Sequence, residues 1–165
     1  MRRLSGTMWR LCRGREAAVA AQAAVSILEP LGPGTELAWA YASLAVQRLS
    51  SGENQAAIEL AQHAQAIAEP LGAAEVLSDA LNTEGCAAAV MDRSWTRQLR
   101  RALEIAISAG VDEQAGLAFA NLCSIYCSER RFAEAERYFV DGIAYCDEHD
   151  IGTFATCLRG GQPTS

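Results

Sequence analysis

Lysine is absent from this chain, and all 14 of its basic residues are arginine. A Walker A loop needs a lysine to reach the nucleotide phosphates, and Schiff-base chemistry needs a primary side-chain amine. Both are excluded. Positive charge is scarce, and the formal balance of −6 is the reverse of the basic footprint of a nucleic-acid-binding domain. Long apolar runs are missing too: nothing approaches the roughly 18 residues of a membrane span. The Met1-Arg2-Arg3 start resembles an export signal, but Leu4 to Arg13 is broken by Ser5, Gly6, Thr7 and Arg10. Without a continuous apolar core it reads as a helix fragment. Aromatics make up only 7% of the chain. Cysteine is present six times, at Cys12, Cys86, Cys123, Cys127, Cys146 and Cys157, without the compact spacing of a disulfide framework. Free thiols in a reducing cytoplasm are the expectation.

What the chain has in abundance is alanine, within a hydrophobic fraction of 50%. It also has an internal echo. Glu-Pro-Leu-Gly occurs at Glu29 to Gly32 and again, 40 residues on, at Glu69 to Gly72. In the same register Ala109-Gly110 and Ile151-Gly152 follow after 38 and 42 residues, each closing an apolar, helix-patterned stretch. One helical unit is written about four times, and units of this size bury their apolar faces only by stacking.

The periodicity predicts helix after helix and no strand. Arg15 to Leu31 is alanine-rich and stops at Pro30 and the Gly32/Pro33/Gly34 cluster. Thr35 caps a helix running to Ser50, with Leu37, Tyr41, Leu44, Ala45 and Arg48 on one face. After Ser51-Gly52 the chain returns over Glu53 to Ala68, with a stripe of Ala57, Leu60, Ala61, Ala64 and Ile67. Two further pairs cover Ala74 to Met91 with Ser94 to Ala109, and Asp112 to Ser128 with Arg131 to Asp147. Ile151 to Leu158 opens another helix, cut short at Gly160-Gly161.

Leu117 to Tyr126, followed by Arg131-Phe132-Ala133-Glu134-Ala135-Glu136 and Phe139, resembles a tetratricopeptide (TPR) repeat, as does Tyr41 to Ala45 with Gly52, Ala57, Ala61 and Ala64. A leucine plus a small residue, Leu44/Ala45 or Leu122/Cys123, lets the second helix approach, and Ala57 and Ala135 supply the matching small surface. The resemblance implies an all-α, right-handed α-solenoid of TPR-like antiparallel helix pairs. Repeats fall at about 1–34, 35–73, 74–111 and 112–152, followed by the start of a further helix and a frayed or truncated tail over 153–165. The period exceeds the roughly 34 residues of the standard unit. Ala80 to Thr83 and Gly142 to Cys146 are similar to the TPR-like regions of large actinobacterial LuxR-type regulators, which place an ATPase module before the repeats and a helix-turn-helix reader after them. Neither module is present here, so a repeat-only piece or truncated relative is expected. Neither end offers the polar cap of a finished stack, which implies self-association through the ends.

In peptide-holding TPR proteins the first helix of each pair lines a concave groove. The matching positions are Trp39, Ala42, Val46 and Leu49; Asp79, Asn82, Cys86 and Ala89; and Leu117, Ala120, Ser124 and Cys127. With no basic donor among them, clamping a partner's terminal carboxylate is disfavoured. A hydrophobic helix or strand of a partner protein, or a neighbouring domain of a larger regulator, suits the surface better. The competing reading is that these residues pack against adjacent repeats.

Glu84 stands where Leu44 and Leu122 stand in the other repeats. An unpaired carboxylate there would cost several kcal/mol, so either it is paired or this repeat is loose, and Arg93, Arg97 and Arg101, recurring at four-residue steps nearby, are candidate partners. Those arginines, with Arg100 and Trp95, could touch nucleic acid, although basic stripes are usually solvated faces. Cys123, Cys127, Cys146 and His149 have zinc-like spacing, but if the pair turns near Arg130, Cys127 lies within about 5 Å of the turn and Cys146 about 24 Å away. A zinc ion holds its ligands within about 2.0–2.3 Å. His63 and His149 sit on helix surfaces or ends, and no serine or cysteine has a nucleophile-elbow setting. No catalytic residue, metal or cofactor is expected. The residues therefore point to a cytoplasmic, non-catalytic protein-interaction module with no direct nucleic-acid or membrane contact, and the LuxR-type resemblance implies a place in bacterial transcriptional or signalling control. A self-associating scaffold is the alternative, and a hydrolase without a recognisable motif a remoter one.

Overall fold

A computed structural model describes residues 14–152 together with Phe154, Ala155 and Leu158. The expectations for the first thirteen residues and for the Gly160-Gly161 tail, with Cys12 and Cys157, lie outside the described residues. The helices are α1 (Gly14–Leu28), α2 (Thr35–Ser50), α3 (Asn54–Ala68), α4 (Ala74–Val90), α5 (Thr96–Ala109), α6 (Asp112–Ser128) and α7 (Phe132–Glu148), and a 3-10 turn over Glu29–Leu31 follows α1. Gly152, Phe154, Ala155 and Leu158 are helical. All regular structure among the described residues is helical, and the fold is an α-solenoid of antiparallel helix pairs. Several starts shift by one or two residues, among them those of α2 and α5. Gly34 holds the cap position of α2 and Thr35 is already its first helical residue, with no side-chain cap bond. The helix expected from Ser94 begins at Thr96, after Trp95 has been buried to 5% exposure.

The turn after α1 closes from Gly32, φ 89°, onto the Glu29 carbonyl at 3.2 Å, and from the end of α2 onward the turns share another backbone device. Beyond Gly32, positive φ angles among the described residues fall at Gly52, Gly72, Asp92, Gly110, Arg130 and Asp150, in steps of 20, 20, 18, 20 and 20 residues. Just past each, an N–H reaches back to the carbonyl five residues earlier: Glu53 to Arg48, Ala73 to Ala68, Arg93 to Ala88, Val111 to Ala106, Arg131 to Tyr126 and Ile151 to Cys146, all at 2.9–3.1 Å. This is the Schellman closure, which satisfies carbonyls that a helix end leaves open. It corrects one register: the fourth echo of the sequence motif turns at Asp150, and Gly152 is already helical.

Each helix packs on its chain neighbours, and α2, α4 and α6 also pack on one another in series. The returning helices α3, α5 and α7 make no comparable contact among themselves. A stack drawn together on one side and spread on the other curves, with α2, α4 and α6 on the inside. Burial follows from that placement. Inner helix α4, touched from several sides, buries residues nearly all round, from Val76 through Ala88. Outer helix α5 buries only the stripe Leu99, Ala102, Leu103 and Ala106, the pattern of a helix packed on one face. In α3 the stripe is rotated slightly from expectation, since Ile58 and Ala68 are buried while Leu60 and Ile67 are half-buried.

Candidate functional site

The inner face is built by three parallel helices, so their N-termini share one end of the layer. That end carries Glu36, Glu75, Asp112 and Glu113, whose placement also suits the helix dipoles. Along the face, Trp39, Val46, Leu49, Asp79, Cys86, Ala89, Leu117, Ala120 and Cys127 are half-buried and Ser124 is exposed. Two of the residues expected there are withdrawn from it. Ala42 has no exposed surface; it fills the contact between α2 and α4. Asn82 is 5% exposed, and its Oδ1 accepts the Asn121 Nδ2 hydrogen bond at 3.2 Å, tying α4 to α6. Leu49 leans on a small buried cluster of Ala57, Ile58 and Ala87 at the end of the pair.

Leu117, Ala120, Ser124 and Cys127 converge on one cavity of about 350 Å³, completed by Asn121, Cys123, Phe154 and Leu158. Sequence reasoning missed the last four as lining residues. Asn121 could have been found, since it lies one turn from both Leu117 and Ser124. Upstream, burial and then neighbouring Glu75 push the Asp79 carboxyl up to about 6. Burial, then Asp79, pushes the Cys86 thiol up to about 12, and burial raises Cys123 to about 11 with Cys127 adding to it. These thiols stay protonated at neutral pH and behave as small apolar residues.

A second feature opens on the outer side. Glu84 is 8% exposed, and its partners are not the arginines suggested by the sequence. Gln62 Nε2 donates to Oε1 at 3.0 Å and Gln65 Nε2 to Oε2 at 2.7 Å. Arg93 instead donates to Gln55 Oε1 at 2.8 Å, and Arg101 pairs with Glu69. Around Glu84 lies a cavity of about 330 Å³ lined by Gln62, Gln65, Leu81, Arg97, Gln98 and Arg101. The suggested nucleic-acid stripe is further occupied at Trp95, whose indole N–H donates to Glu129 Oε1 at 2.6 Å, and at Arg100, which reaches the Tyr126 hydroxyl at 3.4 Å.

The structure brings His149 within 3.2 Å of Asp112 Oδ1, an oxygen that also accepts the Tyr145 hydroxyl at 2.7 Å. Tyr145 and His149 stack at 4.1 Å. Burial and the Asp112 hydrogen bond hold the Tyr145 phenol up at about 12, so it is a donor rather than a nucleophile. The trio clasps the end of α7 to the start of α6. Among the described residues no three His, Cys, Asp or Glu side chains gather as metal ligands. No described helix is long and apolar enough to cross a membrane.

The fold and the paired inner and outer layers define the chain as a TPR-like helical-repeat solenoid. Among solved structures it is similar to aspartyl phosphate phosphatase F from Bacillus subtilis, with a TM-score of 0.80 and 15% identity over 95% of this chain and 42% of that one. At that identity the likeness shows the fold. The chain spans about two-fifths of the length of that protein. No family model matches the chain, and no curated protein does.

Proposed function

We propose that this chain is a non-catalytic protein-interaction module whose inner face receives an amphipathic segment of a partner protein, within a bacterial regulator of transcription or signalling. The carrying observation is the continuous inner face from Trp39 to Cys127, which ends in the apolar cavity over Leu117 and Ala120 and bears acids along one rim. The likeness to aspartyl phosphate phosphatase F is one of fold, and a fold serves many functions. The LuxR-type setting rests on the resemblance of Ala80 to Thr83 and Gly142 to Cys146, and a cytoplasmic location accompanies it. A partner helix with apolar residues toward the cavity and Arg or Lys toward Asp79 and the acidic rim fits this distribution of charge.

The test is fluorescence anisotropy with displayed-library peptides of that pattern. Ala120→Glu with Ser124→Arg is expected to weaken binding at least about tenfold while far-UV circular dichroism stays unchanged. Equal affinity in the double variant removes the inner-face reading. The pH dependence follows from Asp79. Free, it keeps its proton up to about pH 6, and a cation beside it favours the carboxylate, so binding releases a proton. Affinity should therefore rise as pH climbs from 5 toward 7, and Asp79→Asn should flatten that rise. The scaffold alternative draws on Val19, Ile27 and Leu31, which are 57–77% exposed at the first described helix and its 3-10 turn. Sedimentation of a dilute monomer would discard it.

A further inference from the structure

We propose that the outer cavity between α3 and α5 is a binding site for a small zwitterion of the free α-amino-acid class, its ammonium received by Glu84 and Gln98 and its carboxylate by Arg97 and Arg101. The site arises from the curvature of the stack. Outer helices α3 and α5 do not pack directly on each other, and the gap between them lies over α4. In the neighbouring repeats the equivalent inner-helix position is filled by buried Leu44 or Leu122. Here the floor is a carboxylate.

The polar atoms of that floor have capacity to spare. A carboxylate offers about four lone-pair sites, and Glu84 uses one on each oxygen, for Gln62 and Gln65. In the same lining, Gln98 Oε1 is buried with no hydrogen-bond partner. The open sites on Glu84 and the bare Gln98 oxygen together offer enough acceptor capacity for the three donors that an ammonium group carries. A buried amide oxygen left bare costs about 1–3 kcal/mol, so a donor is what this floor lacks.

The walls ask for the opposite charge. Arg97 and Arg101 line the cavity, and among the described residues neither forms an ion pair with Glu84; Arg101 engages Glu69 at the rim. A guanidinium fork matches a carboxylate. Leu81 supplies an apolar wall for a side chain. The volume of about 330 Å³ stands at the small end of ligand pockets, which run from about 300 to 1,000 Å³. It suits an amino acid and is too small for a peptide helix.

The experiment is isothermal titration calorimetry of the full chain with free amino acids of acidic, basic and apolar type, alongside their N-acetyl and C-amide forms. At least one free amino acid should bind with a Kd below about 1 mM. Blocking either end should weaken it about tenfold or more, as should Glu84→Gln and, independently, Arg97→Ala at an exposed position that leaves the fold intact. Ser124→Arg on the inner face should change nothing. Absence of binding up to about 10 mM in the folded wild type overturns the proposal, as does equal binding of the acetylated form or indifference to both outer-site substitutions. Peptide capture by the inner face is independent of all these outcomes.

Discussion

The three inner helices present the same two positions to the outer layer, filled by Leu44/Ala45 in α2, Glu84/Gly85 in α4 and Leu122/Cys123 in α6. In the first and last the leucine is a buried wedge, 3% and 0% exposed. In the middle one the wedge is a carboxylate, and the apolar volume comes from across the interface. A Cβ added at Gly85 would lie 2.7 Å from Leu99 Cγ, so the side chain of α5 occupies space that α2 and α6 fill with their own small residue. A helix pair can thus keep its stacking geometry while exchanging a dry seam for a polar one, provided its partner helix supplies the lost bulk.

Substitutions can break this contrast. Leu122→Glu carries the charge of the middle seam into a dry one without the two glutamines that satisfy it. A loss of about 4 kcal/mol is expected, read as a collapse of the urea midpoint, and a loss below about 1 kcal/mol would show that the seams are interchangeable. Gly85→Ala forces Leu99 aside and should cost about 1–3 kcal/mol, whereas a neutral result would mean that Leu99 moves freely. Glu84→Leu makes all three seams alike. Replacing a buried charge with an apolar side chain is expected to stabilise by about 1 kcal/mol, while amino-acid binding disappears. A gain in stability with binding retained would separate Glu84 from the outer site.

Much of the fold was legible because its signals are local. Helical periodicity and Gly/Pro punctuation act within a few residues, and they gave α6 to the residue and the start of α2 to within one. Turns at Asp92, Arg130 and Asp150 were less visible, because their left-handed backbone is imposed by the Schellman bond and advertised by no glycine. Partners of Glu84 were misread for a related reason. The arginines lie on the following helix at an inviting four-residue step, but the carboxylate leans toward α3, 19 to 22 residues back. The phase of the inner stripe was readable; which members would be covered was not. Ala42 and Asn82 disappear where adjacent inner helices touch, and those contacts depend on interhelical approach, which one helix's sequence does not encode.

The series of contacts among α2, α4 and α6 has a kinetic corollary. Among the described residues every substantial helix contact joins neighbours in the chain or the next but one, so none of these contacts waits for distant ends to meet. Loop-closure entropy is then modest at each step. Folding of such a chain starts at any one pair and spreads by templating, with each completed pair offering the surface on which the next condenses. The polar middle seam, where the wedge carries charge, is the step at which that spreading should pause longest.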